Sequence, residues 1–147
     1  MTIQSTLTES MKALLADSYS LYLKTQNYHW NVVGPHFFSL HLALDGQYKE
    51  LANAIDTTAE LIRGLGEKAP ATFKAYQDLS RLKPGNEQAS AEEMIKDLLQ
   101  DHQQMHKILN ALLDFAKQAN DGAIENFIAD RLHVHRQTAW MLESFLS

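Results

Sequence analysis

The sequence contains no cysteine, which excludes disulfides, thiolate metal sites and thiol nucleophiles. No apolar run approaches bilayer-spanning length, so no membrane-crossing segment is expected. Met1 to Leu15 is polar and then amphipathic, without the charged-then-apolar order of a secretory signal. A soluble cytoplasmic protein is the resulting expectation. Phosphate-cradling loops and nucleophile elbows are missing too, whether Gly-x-x-x-x-Gly-Lys, Gly-x-Gly-x-x-Gly or Gly-x-Ser-x-Gly. There is no internal repeat, low-complexity tract or strand-like alternation. Thirteen basic against 18 acidic side chains give a formal charge of -5, which disfavours a general polyanion-binding surface. At 147 residues the chain fits one domain, 1–147, with a proper core.

What remains is helical rhythm. Thr6 and Glu9 have capping-box spacing and predict a helix start. Met11, Leu14, Leu15, Leu21, Tyr28 and Val32 then follow one helical face until Gly34-Pro35 stops it. A second helix carries Phe37, Leu40, Leu44, Tyr48, Leu51, Ile55 and Ile62 inward and ends at Leu65-Gly66. Before the next strong pattern come a short helical piece near 71–79 and the breaker Pro84-Gly85-Asn86. Neighbours in a bundle are usually joined by about two to eight residues. A connection this much longer predicts a crossover along the bundle. Ser90 and Glu93 form a second capping box before a third helix, and Asn120 or Asp121 starts a fourth. The expected fold is all-α, a ferritin-like four-helix bundle with a short extra helix in the long crossover between helices two and three. Trp30 and Trp140 are expected in the core. Gly46 inside the second helix admits either a close backbone approach or a tolerated exposed glycine.

The polar residues of the first hairpin form a pattern of their own. His41 and Asp45 are spaced i,i+4, as are Asp56 and Glu60, and the eleven residues between the pairs make about three turns. All four therefore share one stripe of the second helix. His29 and His41 stand six residues either side of Pro35, so an antiparallel hairpin puts them at similar height. One histidine-rich end and one acidic end are metal ligands in type, yet His41 and Glu60 lie about 28 Å apart along one helix. The two pairs are symmetric about a point between Glu50 and Leu51. Two copies packed antiparallel across a two-fold axis there would bring each histidine end to the other copy's acidic end. The same spacing also describes a solvated polar face on an ordinary helix.

Other histidines read more plainly. His102 and His106 have zinc-like i,i+4 spacing without an obvious partner acid, and His133 and His135 diverge on a helix. All are expected to be ordinary core and surface residues. No Glu-x-x-His occurs, so any iron chemistry here needs a design other than the usual di-iron bundle site.

The run from His29 through Trp30, Gly34, Pro35 and Ser39 to His41, followed by Asp45, Tyr48, Asp56 and Glu60, resembles the signature of the Dps proteins, the mini-ferritins. The resemblance extends along essentially the whole chain. It implies a homo-oligomer, a hollow dodecamer, whose two-fold interfaces form ferroxidase sites. His29, His41 and Asp45 would come from one subunit and Asp56 and Glu60 from its partner, with Trp30 beside the centre. The implied reaction oxidises ferrous iron (two ions per site) with hydrogen peroxide in preference to dioxygen, and stores the ferric mineral inside the cage. Carboxylate and imidazole ligands suit such iron. The histidines must be neutral to bind, so activity is expected to fall below about pH 6.5. Asp121 and Asp130 match acids lining an iron-entry pore in that family. Asn126 stands where another acid is expected, and either Glu125 substitutes or the pore field is weaker. Their plain reading is a helix cap and a solvated acid. Direct DNA binding is not expected, because Lys12 is the only basic side chain before Lys24 and no basic tail follows the last helix. The alternatives are a DNA-binding, nucleoid-protecting protein in which iron oxidation is secondary, and a helical interaction module without metal.

Overall fold

The computed structural model describes all 147 residues and contains five helices and no strand. These are α1 (Ile3–Asn31), α2 (Phe37–Gly64), α3 (Phe73–Leu79), α4 (Ala91–Gln118) and α5 (Gly122–Phe145). The four long helices form two hairpins, α1 with α2 and α4 with α5, joined face to face mainly through α1 and α4. Leu14, Leu21, Leu40, Leu51, Ile62, Leu98, Met105, Leu109 and Ile128 fill the space between them. The short helix lies in the crossover and packs on α1. The expected bundle with an extra crossover helix is therefore what forms.

The helix ends follow from local chemistry. α4 begins with the expected capping box, in which the Ser90 side chain accepts from Glu93 N at 3.1 Å and Glu93 accepts from Ser90 N at 3.1 Å. α1 differs from expectation. Its cap is Thr2, which accepts from Ser5 N at 3.1 Å, and Thr6 and Glu9 lie inside the helix. The start moves upstream because fully buried Leu7 extends the apolar face one turn before Met11. α2 ends in a Schellman arrangement, with Gly66 N bonded to Arg63 O and Glu67 N to Ile62 O. Gly66 has φ +90°, a value that favours glycine. α4 ends the same way on Asn120 (φ 54°), and Asp121 immediately caps α5 through Ile124 N at 3.0 Å. Three residues, Ala119, Asn120 and Asp121, thus turn the chain through the second hairpin.

Three side chains depart from their expected places. Trp30 and Trp140 are 62 % and 65 % exposed rather than buried, and Phe37 is likewise exposed. Trp30 follows His29 in the last turn of α1, so a rotation of about 100° carries it to the outer face when His29 faces α2. A Cβ added at Gly46 would meet nothing, which is the exposed-glycine case within this chain.

The crossover is pinned by a buried acid. Asp17 on α1 has no exposed surface and accepts from Arg81 N (2.6 Å), Nε (2.9 Å) and NH2 (2.6 Å). Further on, Gly85 lies against Lys24 and Tyr28 so closely that an added Cβ would stand 3.0 Å from Lys24 Cγ. These contacts hold the long connection against α1 and leave the outer face of α2 uncovered within the chain.

Candidate metal centre

His29 near the end of α1 and His41 early in α2 face each other across the first hairpin. Their rings stack with centroids 3.9 Å apart and planes 11° from parallel. His29 Nδ1 lies 2.7 Å from the His41 carbonyl oxygen, and His41 Nδ1 lies 2.7 Å from the His29 carbonyl oxygen. A carbonyl only accepts, so each Nδ1 carries the proton and donates it. In the neutral rings both Nε2 lone pairs are then free. Metal-ligating histidines are commonly fixed in this way, one nitrogen held by a carbonyl and the other bare.

The bare nitrogen of His29 has an acid in front of it. His29 Nε2 stands 3.8 Å from Asp45 Oδ1, too far for a hydrogen bond. Two acceptors facing across that gap suit a cation between them, since metal–ligand bonds of about 2.1 Å would span it. The second oxygen, Asp45 Oδ2, accepts from Lys49 Nζ at 2.8 Å. Lys49 holds the Asp45 carboxyl below the usual range, with smaller help from His29 and the Tyr48 phenol, and Asp45 in turn raises the Lys49 ammonium.

Asp56 and Glu60 lie on the exposed second half of α2, one turn apart. The hydrogen bond that a protonated Glu60 donates to the Asp56 carboxylate, and the repulsion of the Asp56 charge, raise the Glu60 carboxyl above its ordinary value. Two carboxylates this close hold a proton between them or a cation in its place. The fold therefore brings His29, His41 and Asp45 to one end of α2 and leaves Asp56 and Glu60 at the other. No three His, Asp or Glu side chains of one chain converge into a metal-holding group. Trp30 adjoins His29 in sequence but faces outward, and with Val33, Phe38 and Leu42 it leaves large apolar side chains exposed around this end of the hairpin.

The other expected positions fall on α5. Asp121 caps its first turn, Glu125 sits half-buried in that turn, and Asp130 is exposed one face further on. His102 and His135 are buried against each other, His106 is half-buried and His133 is exposed. Lys49 belongs to no ligand-like pattern in the sequence, and its i,i+4 spacing from Asp45 is the one signal there that points to this ion pair.

The ferritin-like domain family matches residues 8–147. "DNA protection during starvation protein 2" of Bacillus anthracis is 32 % identical over 139 residues, covering 95 % of both chains. The crystal structure of a Dps protein from Bacillus brevis is similar at TM-score 0.97 and 31 % identity, covering 100 % of this chain and 99 % of that one. The Dps protein of Vibrio cholerae O1, described as a member of a broad superfamily of ferritin-like diiron-carboxylate proteins, is similar at TM-score 0.95 and 25 % identity. That match covers 99 % of this chain and 92 % of that one.

Proposed function

The chain belongs to the Dps family of ferritin-like proteins, and from that premise we propose that it is a ferroxidase and iron-storage subunit whose metal centres are shared between two copies. The observation that carries the reading is the reciprocal His29–His41 lock, which leaves two imidazole nitrogens bare beside Asp45. That half-site has Asp45 as its single acid, and the Asp56–Glu60 pair at the mirrored end of α2 has no histidine. A two-fold antiparallel pairing of α2 supplies each with the other. The uncovered outer face of α2 and the exposed apolar side chains near the hairpin give such an interface its area.

In this reading iron is substrate and cargo. His29, His41 and Asp45 of one subunit and the partner subunit's Asp56 and Glu60 bind two ferrous ions. Three carboxylates stabilise the charge added as each ion gives up one electron. Hydrogen peroxide takes both electrons and two protons and leaves as two waters, so no hydroxyl radical is released. Dioxygen is the slower oxidant. The ferric product collects inside a dodecameric cage in the cytoplasm, and Asp121, Glu125 and Asp130 line the way in. Lys49 must give up Asp45 Oδ2 when that oxygen turns to metal.

The test is complementation. His41→Ala and Asp56→Ala are each expected to lose ferrous oxidation by at least about a hundredfold, the upper range for disturbing even the groups behind a ligand. Unfolding the two variants together and reassembling them should restore about one quarter of wild-type turnover. Half the pairs are then mixed, and each mixed pair rebuilds one of its two sites. A mixture no more active than its parents would end the shared-site reading.

A further inference from the structure

Four of the five tyrosines are linked by ring contacts in one series that begins at the candidate metal centre. From the stacked histidines, His29 meets Tyr48 on α2 with centroids 5.3 Å apart. Tyr48 meets Tyr22 on α1 edge-on at 5.8 Å, Tyr22 meets Tyr19 at 5.6 Å, and Tyr19 stacks on Tyr76 of α3 at 4.8 Å. Tyr76 and Tyr19 line an open cleft of about 190 Å³ together with Ala71, Thr72 and Phe73. The only branch leads from His41 to Phe37, whose ring is hard to oxidise. Trp30 pairs with no ring of this series.

We propose that Tyr48, Tyr22, Tyr19 and Tyr76 form a relay that carries single oxidising equivalents from the metal centre to the surface at Tyr76. The relay rests on the ferroxidase reading and extends it to the case in which a site holds one ferrous ion instead of two. Peroxide then takes one electron, giving a ferric ion, a hydroxide ion and a hydroxyl radical. The radical removes a hydrogen atom from the Tyr48 phenol, becoming water and leaving a tyrosyl radical. Tyr22 returns one electron and one proton to Tyr48 and is itself oxidised, and the same exchange passes to Tyr19 and Tyr76. At the cleft a soluble one-electron reductant of the ascorbate class supplies the final hydrogen atom. Atoms and electrons balance, and each phenol is regenerated.

The geometry suits this better than simple packing. Electron tunnelling falls steeply with the gap between rings, and every link here is a direct ring contact. The four phenols are chemically alike, so the internal hops are close to thermoneutral and removal at Tyr76 sets the direction. Tyr22 Oη accepts a hydrogen bond from Gln26 Nε2 at 3.1 Å, which leaves its own proton free to leave with the electron. The Tyr48 phenol stands beside Asp45, next to where the oxidant forms.

Tyr22→Phe keeps the ring and removes the oxidisable group, and Tyr22→Trp restores one. Assembled protein given limiting ferrous iron and then peroxide is frozen within seconds and examined by electron paramagnetic resonance. Ferric absorbance is recorded on the same samples. Expected are a tyrosyl radical in wild type that ascorbate quenches rapidly, quenching slowed by an order of magnitude in Tyr22→Phe, and recovery in Tyr22→Trp, with ferric formation equal in all three. Equal quenching in wild type and Tyr22→Phe, or ferric formation without any tyrosyl radical, would overturn the relay alone. No ferric formation in wild type would overturn the site reading and the relay together.

Discussion

His102 on α4 and His135 on α5 meet Nδ1 to Nδ1 at 2.8 Å inside the second hairpin. One of the two nitrogens must carry the proton, and Arg131 decides which. Its NH2 approaches His135 Nε2 at 3.3 Å, and a guanidinium only donates. His135 therefore holds its proton on Nδ1 and gives it to His102, whose Nε2–H is buried without a partner. Glu50 on α2 takes the other side of Arg131, so the chain of bonds ties α2 to α5 and α4.

This arrangement predicts acid sensitivity. Burial, with Arg131 nearby, pushes His102 down to about 3, and burial with His102, Arg131 and His106 around it pushes His135 well below its ordinary value. The unfolded chain takes up both protons below about pH 6.5 while the folded chain cannot. Stability contributed by the neutral pair is thus complete above that pH and falls as pH drops from about 6.5 toward 3. The slope approaches about 1.4 kcal/mol per pH unit for each histidine. Denaturant midpoints measured from pH 7 to pH 4 should fall steeply in wild type and more shallowly in His102→Leu/His135→Leu. Parallel curves would refute it.

Much of the fold was legible because helical periodicity is a local property. The Ser90–Glu93 box appears with both of its bonds, and the side-by-side placement of His29 and His41 follows from their equal distances to Pro35. What failed depends on surroundings. Thr6 and Glu9 have cap spacing, but Thr2 offers the same hydroxyl where the apolar face begins. The tryptophans are apolar in the sequence whichever way their helix turns them. The histidine proton order, the Asp45–Lys49 bond and the tyrosine series all require knowing which helix lies beside which. Tyr76 is brought to Tyr19 by a crossover that no periodicity describes.

Lys24 is expected to be the most costly single charge to remove. It is 2 % exposed, with Nζ 2.7 Å from Asp101 Oδ2 and 3.1 Å from Asp97 Oδ1. Burial pushes the Asp101 carboxyl up even with Lys24 beside it, so without the lysine that acid is stranded. Lys24→Met should cost about 3–5 kcal/mol, the range for breaking one side of a buried pair. Lys24→Met/Asp101→Asn should recover much of it. Unfolding curves decide the matter, and a single-mutant loss below about 1 kcal/mol would place this cluster with ordinary surface pairs.

Gly85 should resist enlargement although it sits in the irregular part of the crossover. An added Cβ would stand 3.0 Å from Lys24 Cγ, 3.1 Å from Asn27 Nδ2 and 3.4 Å from Tyr28 Cε1. Lys24 is held by two acids and Tyr28 by Asp97 at 2.5 Å, so neither neighbour yields freely. Gly85→Ala is expected to destabilise by about 1–3 kcal/mol. Gly46→Ala, where a Cβ meets nothing in the chain, should stabilise the monomeric helix instead. Thermal melts of the two variants should move in opposite directions, and a shared direction would refute the contrast.

Lys49 is the charge whose removal should help. Its ammonium is bonded to Asp45 Oδ2, so it both occupies a proposed ligand atom and repels an arriving cation. A doubly charged ferrous ion and an ammonium about 5 Å apart in water repel by about 1.7 kcal/mol before screening, so removing the ammonium should raise ferrous affinity by about five- to fifteenfold. Lys49→Gln is the variant, because it keeps the stem and drops the charge. Anaerobic ferrous titration gives the affinity directly, and raised salt should narrow the gap between variant and wild type, since exposed charges are screened. Affinity unchanged or weakened in Lys49→Gln at low salt would mean that Asp45 does not face the metal, and His29 Nε2 would have lost its opposing ligand.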